Sequence, residues 1–170
     1  SGYAAISCCV TTDAVFEMFK DDTDHLGYFR DISTFGGCTA GPTAALENMR
    51  IIEDEDLCGN STRMGAYFGE KLEALMEKRQ IVGDVRGMGL FRGAELVLDR
   101  ASKEPVPEKQ VMAVVADCMK QGVIIGATNR SVPGFNNTLL FAPALIATKD
   151  DLDEVITAVD GAIGRVFYGE

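Results

Sequence analysis

Ser33-Thr34-Phe35-Gly36-Gly37-Cys38-Thr39-Ala40-Gly41-Pro42-Thr43-Ala44-Ala45-Leu46 is a loop of small residues that runs directly into a helix-forming segment. Gly36, Gly37 and Gly41 admit backbone angles closed to other residues and, lacking a Cβ, let another group approach the main chain closely. Hydroxyls at Ser33, Thr34, Thr39 and Thr43 surround them. Free N–H groups at a helix start, with hydroxyl donors nearby, suit an anion such as phosphate. The same pattern also describes a tight turn before a helix cap. That is the commoner use of such glycines, and neither a Walker nor a dinucleotide-binding spacing is present. Pattern alone leaves both readings open.

Working outward, a chain of 170 residues with 46% hydrophobic and 25% charged composition reads as a soluble globular protein with room for one ordinary domain or two small ones. It carries 26 acidic against 16 basic residues, a formal net charge of −10, which disfavours nucleic-acid and anionic-membrane partners. No apolar run approaches the roughly 20 residues that span a bilayer, and no signal-like segment opens the sequence. The five cysteines, Cys8, Cys9, Cys38, Cys58 and Cys118, show no CxxC or Cys/His ligand spacing, and His25 is the only histidine. They read as reduced thiols of a cytoplasmic protein without a metal site.

In chain order, Tyr3 to Val10 is a run of small and β-branched residues without alternation, the pattern of a strand buried on both faces. Such a strand needs neighbours on both sides, so the expectation is that this chain is a fragment. Thr12 or Asp13 then caps a helix bearing Val15, Phe16 and Phe19. Asp21 to Asp31 is a polar loop, in which His25 reads as a solvated side chain before a general base, and Arg30 as a salt-link partner before an anion ligand.

After the acidic run Glu53 to Asp56, Met64, Phe68, Leu72, Leu75 and Met76 recur at helical spacing, a packing face. The acidic run marks a boundary, giving residues 1–56 and 57–170 as two domains. Residues 81–98 read as two strands joined by a glycine-rich turn. Pro107 sits in the first turn of a helix with Val111, Val114, Val115, Cys118 and Met119 on one face, ended by Gly122. Residues 123–127 and 138–142 are the next strands, and Thr148 caps a last helix with Asp150 and Asp151 in its first turn. In the loop between those strands Arg130 has no adjacent acidic partner. Its guanidinium suits bidentate capture of a carboxylate or sulfonate, and an exposed solvated arginine is the alternative.

Thr34-Phe35-Gly36-Gly37, followed by a small-residue helix ending Asn48-Met49-Arg50-Ile51-Ile52-Glu53, resembles the T-[YF]-x-G segment and helix of the class III aminotransferases. The resemblance implies that Thr34, flanked by Ser33 and Phe35, reaches the phosphate of pyridoxal 5'-phosphate across a homodimer interface. Cys38-Thr39 stands where the family usually has His-Pro or Asn-Pro. Ser1-Gly2-Tyr3 is similar to the residues that follow the family's Schiff-base lysine, which places that lysine before Ser1, so no catalytic residue is assigned in this chain. Val82-Gly83-Asp84-Val85-Arg86-Gly87-Met88-Gly89-Leu90 resembles the family's V-G-D-V-R-G-x-G-L segment, a structural one, and Arg86 reads as a salt-bridge residue outside the active site. Arg130, preceding Ala142-Pro143-Ala144-Leu145-Ile146, resembles the arginine that holds the substrate's acid group.

What the resemblance implies is an α/β fold, the C-terminal part of a fold-type I pyridoxal-phosphate enzyme: the end of the large-domain sheet, then a small α/β domain. Residues 31–38 and the long Arg130 loop are most similar to the taurine–pyruvate branch of the family. The implied activity is transfer of an amino group from an amine donor, taurine, to pyruvate. β-Alanine, 4-aminobutyrate or a diamine is the alternative donor, and a non-catalytic α/β binding domain the alternative of a different class.

Overall fold

The computed structural model describes residues 2–20, 23, 26, 29, 33–129 and 132–170, so His25, Arg30 and Arg130 lie outside the described residues. The chain divides into two units, Ser1–Glu55 and Asp56–Glu170.

In the first unit, the Thr12 carbonyl accepts the N–H groups of Val15 and Phe16 and starts a short helix, α1 (Asp13–Glu17). Phe19, just past its end, meets Phe29 edge-on with ring centroids 5.4 Å apart. The glycine-rich loop leads into α2 (Ala40–Asp54). The strand expected over residues 3–10 is not formed: the segment is irregular, with Tyr3 90% and Val10 86% exposed. A strand persists only where a neighbour takes up its backbone N–H and C=O groups, and no such ladder exists among the described residues of this unit. Neither α1 nor α2 has a buried residue.

The second unit is built on a long helix, α3 (Leu57–Lys78). Asp56 caps it from a left-handed backbone position (φ 46°), its carboxylate accepting the Gly59 N–H at 3.2 Å. Phe68, Leu72 and Leu75 bury the stripe that helical spacing predicts, with Met64 and Met76 packed at its margin. Next come β1 (Val82–Met88) and β2 (Phe91–Asp99), then the two-residue β3 (Glu104–Pro105), which pairs with β2. Helix α4 (Glu108–Lys120) follows Pro107, and the chain leaves it at Gly122, whose φ of +86° a side-chain-bearing residue resists. Met119 stands out from the buried face made by Val111, Val114, Val115 and Cys118.

Strands β4 (Gly126–Ala127) and β5 (Thr138–Phe141) complete a sheet of order β1-β2-β5-β4, antiparallel throughout. The expected strand over 123–127 is thus only its last two residues. β4 is an edge paired solely through Gly126–Leu140 and Ala127–Leu139, and Ile124 is 82% exposed.

Helix α5 (Lys149–Ile163) opens with a capping box. The Thr148 hydroxyl accepts the Asp151 N–H, and the Asp151 carboxylate accepts the Thr148 N–H at 2.7 Å. It runs on into a π-helical turn, Gly164–Tyr168. Ala94 of β2 lies between Val85 and Leu139 on the inner face, and with Phe68, Leu72, Leu96, Val111, Val114, Leu152, Val159 and Ile163 it forms one continuous core. Among the described residues no helix is long and apolar enough to cross a membrane.

Candidate functional site

In the first unit the glycine-rich segment folds as two consecutive tight turns. The Gly36 N–H donates to the Ser33 carbonyl at 3.1 Å and the Cys38 N–H to the Phe35 carbonyl at 3.2 Å. Gly37 holds φ at +84°, the left-handed value that lets the second turn follow the first without strain. At the start of α2, the Thr39 carbonyl takes both the Thr43 N–H (3.0 Å) and the Thr43 hydroxyl (2.8 Å), while no side chain caps the helix. Among the described residues no side chain takes up the N–H groups of the first turn at the positive end of the helix dipole.

Residues 5–7 come up against this helix start. A Cβ on Gly41 would lie 3.2 Å from the Ala5 carbonyl oxygen, closer than a side chain tolerates without a shift. Between Ala5, Ile6 and Ser7 on one side and residues 33–38, Gly41 and Pro42 on the other lies a concavity of about 590 Å³. Among the described residues its lining contains hydroxyls, glycines and one thiol, but no carboxylate. Among these described residues a phosphate meets donors and no like charge, so they fit the phosphate end of a cofactor. The structure thus brings Ser33, Thr34 and Phe35 together in this concavity. The contribution of Ala5 to Ser7 was not foreseen from the sequence, where these residues read as mid-strand.

The second unit holds the loop that bears Arg130. A groove of about 460 Å³ is lined by Arg86, Glu95, Thr128, Val132, Phe135, Asn137 and Thr138. Arg86 is not available there to hold a ligand. It donates to Asp84 at 2.5 Å and to Glu95 at 2.7 Å, and these bonds raise its pKa above the ordinary arginine value. This agrees with its reading as a salt-bridge residue.

The other described arginines are similarly committed. Arg92 secures three backbone carbonyls, those of Gly65, Gly87 and Gly89, and Arg100 those of Met76, Arg79 and Val82. Arg79, with a side chain only 8% exposed, is held by Asp160 and Glu170, and Arg165 by Asp117. Arg50 and Arg63 pair with Glu47 and Asp56. Every described guanidinium therefore serves the fold.

Residues 1–163 match the family model described as aminotransferase class-III. The chain is 67% identical over 168 residues to the hypotaurine/taurine–pyruvate aminotransferase of Paracoccus denitrificans (strain Pd 1222), covering 98% of this chain and 37% of that protein. A Bacillus anthracis aminotransferase crystal structure matches with a TM-score of 0.84 at 37% identity, over 90% of this chain and 34% of that one. An amine transaminase from an uncultivated Pseudomonas species, solved in its PLP-bound form, matches with a TM-score of 0.71 at 29% identity, over 80% of this chain and 30% of that one. The chain thus spans about a third of the length of the relatives it matches.

Proposed function

Because the chain belongs to the class-III aminotransferases, we propose that this protein moves the amino group of taurine to pyruvate, using pyridoxal 5'-phosphate as cofactor. Taurine loses its amino group to become the corresponding aldehyde, and pyruvate gains it to become alanine. The observation that carries this reading is the hydroxyl- and glycine-lined concavity at the start of α2, in a chain so similar to a protein named for taurine and pyruvate.

In this reading the Thr34 hydroxyl and the backbone at Ser33 and Phe35 hold the cofactor phosphate, in a homodimer that shares the site across its interface. Gly41 lets residues 5–7 close the back of the cradle. When bound, pyridoxal phosphate supplies the electron sink and the amino-group carrier. This chain's own residues bind and orient, and none of them is assigned the proton transfer. Arg130 holds the carboxylate of pyruvate and the sulfonate of taurine, the role that its resemblance to the family's acid-binding arginine gives it. We further assign the units Ser1–Glu55 and Asp56–Glu170 to the end of the large domain and to the small domain. All five cysteines are free, which supports a cytoplasmic setting.

The test is amino transfer to pyruvate by the full-length protein from taurine, β-alanine, 4-aminobutyrate and a diamine. Highest kcat/KM for taurine is the expected result. Preference for another of these donors keeps the family chemistry and overturns the substrate. No transfer, with no uptake of pyridoxal phosphate, leaves a non-catalytic α/β domain.

A further inference from the structure

Arg79, just past the end of α3, is fixed by its own backbone. Its N–H donates to the Leu75 carbonyl at 2.8 Å, and its carbonyl accepts the Val82 N–H at 3.0 Å. Its side chain, only 8% exposed, reaches across to α5 and beyond. Nε donates to Asp160 at 2.6 Å, and the two terminal nitrogens donate to the two carboxylate oxygens of Glu170, each at 2.7 Å. The guanidinium carbon also lies 5.2 Å from the centre of the Tyr168 ring. Bidentate pairing of this kind fixes orientation as well as distance.

Between Asp160 and Glu170 the chain changes character. Leu152, Ala158, Val159, Ala162 and Ile163 of α5 are buried, whereas in residues 164–170 only Gly164 is, and Val166 and Phe167 reach no further than the margin of the core. Residues 164–168 form a π-helical turn, a rare conformation. Gly169, at φ +70°, then turns the backbone back, so that the Glu170 N–H meets the Gly164 carbonyl at 3.3 Å. Gly164 leaves the room this needs: a Cβ there would stand 3.1 Å from Arg79 Nη2 and nearer still to the Glu170 carboxylate. On the other flank Arg165 donates to Asp117 of α4 at 2.5 and 3.0 Å.

We propose that residues 164–170 are a strap fastened by charge: two arginine–carboxylate clasps, Arg79–Glu170 and Arg165–Asp117, hold it, and it opens as a unit while the core stays folded. Segments with little buried apolar surface occupy the low-stability end of a structure. Here ion pairs stand in for apolar burial, and the Glu170 side chain, 56% exposed, keeps its half of the clasp within reach of solvent. Salt screens such a pair and leaves apolar burial intact. The strap is therefore a conformational device whose closure answers to ionic strength. It does not depend on what occupies the cofactor or substrate sites.

The test is hydrogen exchange, read by mass spectrometry on peptides of the full-length protein, in about 0.1 M and about 1 M potassium chloride, between which the screening length falls from about 10 Å to about 3 Å. Exchange across residues 165–170 is expected to quicken severalfold in the higher salt, while peptides from β2 and β5 keep their rates. Glu170→Gln should quicken it about tenfold in the lower salt and blunt its salt dependence, because one charge-assisted pair is lost. Gly164→Ala, which changes no charge but pushes the Glu170 carboxylate off Arg79, should quicken it in the same way. Exchange of this segment that ignores salt, or that is as slow in either variant as in the parent, overturns the clasp. Exchange that quickens only in step with β2 and β5 overturns the independent strap.

Discussion

Gly65 of α3 sits so close to Gly89, in the turn between β1 and β2, that a Cβ at position 65 would lie 2.3 Å from the Gly89 carbonyl carbon. The long helix thus rests on the backbone of the hairpin rather than on side chains, and the Arg92 guanidinium seals the contact by donating to the Gly65 carbonyl at 2.6 Å. Helix and hairpin are locked at the one point where neither has a side chain.

Gly65→Ala therefore forces the helix off the hairpin. Better helix propensity gains less than about 1 kcal/mol, whereas overpacking against backbone costs about 1–3 kcal/mol. Net destabilisation, seen as a lower urea midpoint with unchanged slope, is the expected outcome, and a raised midpoint would refute the contact.

Stability should fall in acid partly through Asp160. Burial by itself would raise its carboxyl pKa, but hydrogen bonds from Arg79 (2.6 Å) and Lys78 (2.5 Å) outweigh this and hold it below the ordinary 3.8. A carboxyl with a depressed folded-state pKa binds fewer protons folded than unfolded. Its contribution is full above about pH 5 and is lost as pH falls through the folded value. Asp160→Asn should be less stable than the parent at pH 7 and approach it toward pH 2, so parallel curves of denaturation midpoint against pH would count against this role.

Thr34→Ala should loosen cofactor binding. One charge-assisted hydrogen bond contributes about 1.5–3 kcal/mol, so titration of the cofactor-free protein with pyridoxal phosphate should show at least about tenfold weaker binding. Thr34→Ser, which keeps the hydroxyl, should bind nearly as the parent does. Equal affinity in all three would remove Thr34 from the phosphate site.

Cys118 should resist alkylation. Burial pushes its thiol up to about 11, with the neighbouring Asp117 adding to the shift, so little of the reactive thiolate exists near neutral pH. Peptide mapping after iodoacetamide should find Cys118 modified only once denaturant is added. Modification at the rate of an exposed thiol would show that α4 does not cover it.

The sequence by itself determined those features whose cause is local. The spacing of Phe68, Leu72 and Leu75, the Thr148 cap and Gly122 at the end of α4 each act within a few residues, and each is where the pattern put it. A tight turn within residues 33–38 was legible for the same reason, while the second turn and the lack of a side-chain cap on α2 were not. Tertiary structure decided what depends on distant partners. A strand exists only if another strand pairs with it, so residues 3–10 stayed open while residues 138–141 found β2. The approach of Ala5 to Gly41, of Gly65 to Gly89, and of Asn137 to Leu96 leaves no mark in residue spacing. Each joins segments remote in sequence, and such contacts follow from how the elements pack, which no window of neighbouring residues contains.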